Sequence, residues 1–260
     1  MLSTNFSIYH LEYYLLIFAR IAGVVSLAPI YGTKGVPRKV RIGFGLCVAL
    51  IVASVTEYTP LNYTTLFGFT LLLLKELVMG LSIGLASSLC MTIINLSGMF
   101  IDREIGLTMV TEFDPTMNAT STISADFYNY FVLVVMLCSN MHYFIISAVC
   151  DSFRVVPVGG AVFRGDAAYE VALTFIQQYF VIAFRIALPI FITIMLCNII
   201  LGILAKTAPQ MNMFAVGIQM KVLVGFCVLF VTTAMLPDAA GFIYEQMKRM
   251  VVSFVRVMSA

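Results

Sequence analysis

Charge is scarce in this chain of 260 residues: 11% of its side chains are Asp, Glu, Lys or Arg, against 61% that are hydrophobic. So little polar surface cannot coat a globule in water, so the solvent must be largely lipid or other apolar helices. Histidine is nearly missing, with only His10 and His142, far apart. The sequence holds no HExxH, no GxSxG and no glycine-rich phosphate loop, which leaves no catalytic constellation and points away from an enzyme. Cys47, Cys90, Cys138, Cys150, Cys197 and Cys227 sit singly in apolar runs, with no CxxC pair. They read as packing thiols, and neither metal nor cofactor is expected. Lys and Arg are scattered and the net charge is +2, so the basic stripe of a nucleic-acid binder is missing. The start, Met1 to Tyr14, has no basic n-region and no small-residue cleavage site, and no removable signal peptide is expected.

What the sequence has is apolar runs, at about residues 11–30, 42–55, 66–97, 127–150, 170–205 and 213–237, followed by an amphipathic tail at 241–260. Several exceed the roughly 20 residues a helix needs to cross a bilayer, and none alternates like a membrane β-strand. The expected class is all-α, one domain over residues 1–260, built of membrane-associated helical hairpins. At 1.5 Å per residue the second run rises about 21 Å and the third and fifth about 48 and 54 Å, so uniform vertical spans are excluded. Pro189 offers the fifth run a bend, and Gln178 and Arg185 give it a polar stripe that must face protein or water. Lys34 to Arg41 and the tail with Lys248, Arg249 and Arg256 both favour the cytoplasmic side. The five runs between them would put them on opposite sides in a serpentine chain, so re-entrant hairpins or helices buried in an assembly are required.

Several features could carry function. Lys75 and Glu76 interrupt the third run, and an isolated intramembrane charge costs about 2.5 to 3.5 kcal/mol. Neighbours in a helix diverge by about 100°, so each either finds a partner on another helix or lies at an interface. Gly80, Gly84 and Ser88 form a small-residue ridge that permits close helix packing. The long connection at 98–126 carries apolar residues on a polar, flexible base, and reads either as a pore plug or as an ordinary exposed loop. Asp102 and Asp114 lie within one connection, with no second helical Asp motif to make a protease dyad. A secondary transporter using Arg185, Lys75 and Glu76 is the competing class, although no inverted repeat is evident.

Four stretches, taken together, resemble the FliR family of export-gate subunits and its type III secretion counterparts. They are ARIAGVVSLAPIYGTKGVPRKVRIG, with Arg20, Pro29, Pro37 and Arg41; KELVMGLSIGLA, with Gly80 and Gly84; FIDREIGLTMVTEFDP, with Asp102; and LGILAKTAPQMN, with Lys206, Pro209 and Gln210, followed by Gly217 and Lys221. The Tyr31-Gly32-Thr33 and Val36-Pro37 context resembles flagellar members more than injectisome ones. The resemblance implies a non-catalytic subunit, one copy per gate, assembled with FliP-like and FliQ-like proteins in the bacterial inner membrane within the flagellar basal body. It further implies FlhB-like and FlhA-like export partners, and unfolded flagellar subunits as the cargo. The family's plug maps by position onto Gly106, Leu107, Thr108, Met109, Val110, Thr111, Glu112, Phe113, Asp114 and Pro115, with Met109, Val110 and Phe113 as its bulky apolar members.

Overall fold

The computed structural model describes residues 8–32, 35–56, 58, 59, 61, 63, 65–108, 122–162, 164–208, 210 and 212–259. They form helices and turns, with no strand among them. The α-helices run α1 (Ile8–Leu27), α2 (Arg38–Val55), α3 (Leu66–Ile105), α4 (Ile123–Cys138), α5 (Met141–Val155), α6 (Gly165–Thr207), α7 (Met213–Thr232) and α8 (Leu236–Val257). A single 3-10 turn, Thr233–Met235, joins the last two. Four stretches are long and apolar enough to cross a membrane: His10–Leu27, Leu66–Ile105, Gly165–Thr207 and Ala215–Val257.

Two boundaries depart from the apolar pattern. The run at 127–150 is two helices, α4 and α5, bent by 70°. The break falls at Ser139-Asn140, where Asn140 takes φ 56°, a left-handed conformation that asparagine tolerates better than most residues. The second departure lies in the connection at 98–126, because α3 continues through Gly98 to Ile105 and α4 begins at Ile123. Ile101 and Ile105 are buried, at 1% and 0% exposure, so a helical apolar face outlasts the onset of the charges Asp102-Arg103-Glu104.

The amphipathic tail is α8, and its apolar face lies inside the protein. Leu236, Ala240, Ile243, Met247, Met250, Val251 and Val255 are buried at helical spacing, whereas Asp238, Glu245, Arg249 and Arg256 are exposed. α6 remains one helix of 43 residues through Pro189.

The chain gathers into two compact units. The first comprises residues 1–90, 140–175 and 245–260; the second comprises 91–139 and 176–244. In the first, α1 lies directly on α3. A Cβ built on Gly80 would fall 1.9 Å from the Arg20 carbonyl oxygen, and one on Gly84 would fall 2.8 Å from that of Val24. The ridge expected at Gly80 and Gly84 is therefore a backbone-to-backbone crossing, reciprocated by Gly23 of α1 against Leu77. In the second unit, Ile93 of α3 packs with Ile182 and Ala183 of α6, flanked by Leu96, Tyr179 and Ile186.

Candidate functional site

The crossing in the first unit brings two charges together. Arg20 and Glu76 are both fully buried, and the Arg20 Nε–H donates to Glu76 Oε2 at 2.5 Å. Arg20 Nη1 donates to the Val156 carbonyl at 3.0 Å and to Ser152 Oγ at 3.3 Å. Its guanidinium carbon stands 4.1 Å from the centroid of the Phe153 ring. Glu76 Oε1 accepts the Gly159 N–H at 2.8 Å. Gly159 takes φ 82°, so a side chain there would strain the turn that aims this donor. One ion pair thus ties α1, α3, the end of α5 and the following turn. Each carboxylate oxygen of Glu76 thus accepts one hydrogen bond from another part of the unit. Lys75, on the adjacent face, is half-buried.

The second unit holds a node at the root of the long connection. Gly106 ends α3 at φ 94°, a value that favours glycine. The Gly106 and Leu107 N–H groups both donate to the Asp102 carbonyl, at 3.0 and 2.9 Å. The Asp102 side chain, 1% exposed, turns inward to the start of α4. Its Oδ2 accepts the Ser124 N–H at 3.0 Å, and its Oδ1 accepts the Ser124 hydroxyl. This carboxylate caps a helix other than its own, at the end where the helix dipole favours an anion. One turn away, a Cβ on Gly98 would lie 2.3 Å from the Ala125 Cα, so the two helices touch backbone to backbone. Asn129 donates through its side-chain amide to Asn95 Oδ1 another turn along.

Of the expected plug, Gly106, Leu107 and Thr108 are described, with Leu107 buried; Met109, Val110, Thr111, Glu112, Phe113, Asp114 and Pro115 lie outside the described residues. Arg185 is exposed on α6, 5.4 Å from the Phe242 ring centroid, and lines an apolar cavity of about 180 Å³ with Tyr128 and Pro189. Pro29 is buried in the turn after α1, where Ile30 takes the unusual φ of 75°. Tyr31, next in that turn, stacks on Phe44 and donates to the His142 carbonyl at 3.4 Å. Pro37 caps α2, and Arg41 donates to the Val36 carbonyl at 3.4 Å. Lys206 occupies the last turn of α6, and Gln210 is exposed. Gly217 is buried and Lys221 half-buried on α7; Pro209 lies outside the described residues.

The sequence reading left out Ser124, Ala125, Ser152 and Gly159. They carry no signal of their own, because their partners lie 22 to 132 positions away.

Long apolar helices held together by buried polar nodes and glycine crossings define a helical membrane protein. The chain belongs to the bacterial export proteins, family 1, which it matches over residues 11–247. It is similar to the flagellar biosynthetic protein FliR of Bacillus subtilis (strain 168), with 33% identity over 84% of this chain and 85% of the relative. It is also similar to those of Pectobacterium carotovorum, at 29% over 88% and 87%, and Escherichia coli (strain K12), at 26% over 86% and 84%.

Proposed function

We propose that the chain is a non-catalytic subunit of the flagellar type III protein export gate, helping to form and close the pore through which unfolded flagellar subunits leave the cell. The carrying observation is the similarity to FliR proteins over most of both chains. On this reading the whole chain acts as one export-gate domain, since α3, α6 and α8 each contribute residues to both units. One copy assembles with FliP-like and FliQ-like subunits in the bacterial inner membrane, at the flagellar basal body, and meets FlhA-like and FlhB-like export proteins there. On α6, Phe180, Ile192, Leu196, Ile199 and Ile203 stay exposed, an apolar face that lipid and partner subunits share on this reading.

Residues 106–115 are the seal in this reading. Deleting them is expected to make the assembled gate leak small ions, measured as dissipation of an ion gradient in vesicles; an unchanged permeability would count against the sealing role. The chain is also expected to need its partners. Made without FliP-like and FliQ-like proteins it should aggregate or be degraded, as read by detergent gel filtration, whereas a stable monomer active in ion-coupled transport would favour the secondary transporter.

A further inference from the structure

Arg185 stands near the middle of α6 over the Phe242 ring, 5.4 Å from its centroid, and makes no ion pair among the described residues. At 1.5 Å per residue α6 rises about 65 Å, roughly twice the hydrocarbon core of a bilayer, so only part of it can lie in lipid. Arg185 divides the helix. From Ile186 to Ala205 there is no charged residue, and this stretch rises about 30 Å, the depth of that core, before Lys206. The uncharged stretch on the other side, 171–184, rises only about 21 Å. Arg185 and Lys206 therefore bracket one bilayer, and Arg185 falls at the level of the headgroups. α7 covers a similar length with one half-buried charge, Lys221, and ends at Thr232 beside the same cavity as Arg185.

That cavity, of about 180 Å³, lies among Tyr128, Arg185, Pro189, Thr232, Asp238 and Phe242. The Tyr128 and Thr232 hydroxyls bond each other at 3.3 Å, which leaves Arg185 and Asp238 as its charged lining. No ion pair joins Arg185 to Asp238, which sits in the first turn of α8. Opposite charges that line one cavity without meeting fit a guest that carries both signs. On the face of α6 that carries Arg185, Leu188, Ile192, Leu196, Ile199 and Ile203 form an exposed aliphatic stripe that runs towards Lys206.

We propose that this cavity holds the headgroup of a phosphatidylethanolamine, with the phosphate on the Arg185 guanidinium, the primary amine on the Asp238 carboxylate and an acyl chain along the stripe. The planar guanidinium presents paired donors that match phosphate oxygens. A headgroup with a phosphate alone leaves Asp238 without a counter-charge, and a choline has no N–H to donate to it. The cavity is smaller than the roughly 300 Å³ at which small-molecule pockets begin, so it takes the head and leaves the chains outside. The inference stands on the membrane fold and does not depend on the export-gate reading.

The test takes the full chain with its co-purifying partners in nanodiscs of equal phosphatidylethanolamine, phosphatidylglycerol and phosphatidylcholine. The protein is extracted in mild detergent, and retained lipid is read by native mass spectrometry. The parent should retain the ethanolamine lipid several-fold over the other two. Arg185→Gln should lose that retention, whereas Asp238→Asn should still hold phospholipid but lose the preference for ethanolamine. Asp166→Asn, exposed at the far end of α6, should match the parent. An ethanolamine lipid with a photoreactive acyl chain should label residues 188–203 several-fold more in the parent than in Arg185→Gln.

Equal retention of the three lipids by the parent, or unchanged retention in both variants, overturns the proposal. Labelling that inorganic phosphate displaces assigns the site to a free anion and overturns it too. So does a photocrosslinker at Leu188 that captures a partner subunit in place of lipid. Where Arg185→Gln fails to fold, Asp238→Asn decides by itself: loss of the ethanolamine preference upholds the site, since a merely structural role would not move it, and a preference that survives overturns it.

Discussion

Arg20→Met alone should destabilise the protein severely, by about 3 to 5 kcal/mol, because it leaves the Glu76 carboxylate buried without its cation. The Gly159 N–H still serves one oxygen, but a single main-chain donor does not replace a guanidinium. Glu76→Met should cost a similar amount, since it leaves Arg20 with the Val156 carbonyl and the Ser152 hydroxyl as neutral acceptors. The double variant is the informative one. Replacing both members of a buried pair by apolar side chains is often neutral or stabilising by about 1 to 4 kcal/mol, so Arg20→Met/Glu76→Met should recover much of the loss. Thermal unfolding of the detergent-solubilised complex, followed by loss of co-purifying partners, measures all three. A double variant as damaged as the worse single one would show that the charges do more than hold α1, α3 and α5 in register.

Gly80→Ala should be about as damaging, although alanine is the better helix former by about 1 kcal/mol. The added Cβ would fall 1.9 Å from the Arg20 carbonyl oxygen, and the atom in the way is main chain, which no rotamer change can move. α1 and α3 must separate, and forcing extra volume into a packed contact costs about 1 to 3 kcal/mol even where side chains can give way. Gly43→Ala and Gly202→Ala are the controls: nothing lies within 4 Å of a Cβ at either site, so both should keep or slightly raise the melting temperature. Gly80 follows Glu76 by one helical turn, so widening the crossing also stretches the buried ion pair. The Gly80→Ala and Arg20→Met losses should therefore be less than additive when combined. Equal thermal stability of Gly80→Ala and Gly43→Ala would refute the close crossing.

The two nodes differ in how far a reader of the chain could reach them. Lys75 and Glu76 advertise themselves, since charges inside an apolar run are costly and demand an explanation. That the partner of Glu76 is Arg20, 56 positions earlier, is not written in either neighbourhood. Asp102 is similar: it reads as part of an exposed charged cluster with Arg103 and Glu104, and only the helix that carries it beyond residue 97 turns it inward while Arg103 faces outward. The apolar run at 127–150 hid the bend at Ser139-Asn140 because hydropathy averages over a window, whereas a single left-handed residue is enough to redirect a chain.

Composition by itself determined that this chain is not bathed in water, because 61% hydrophobic and 11% charged residues leave lipid or other apolar helices as the solvent, and the length of the apolar runs made it helical. The glycine ridge on α3 was likewise legible, since small residues four apart on one face have a local period. Tertiary structure alone decided that the ridge seats α1, that Glu76 belongs to Arg20, and that Asp102 caps the start of α4 through Ser124. Periodicity records which face of a helix is apolar, but not which distant segment arrives there. A buried charge chooses its partner by three-dimensional distance and by desolvation, and neither quantity exists until the helices have packed.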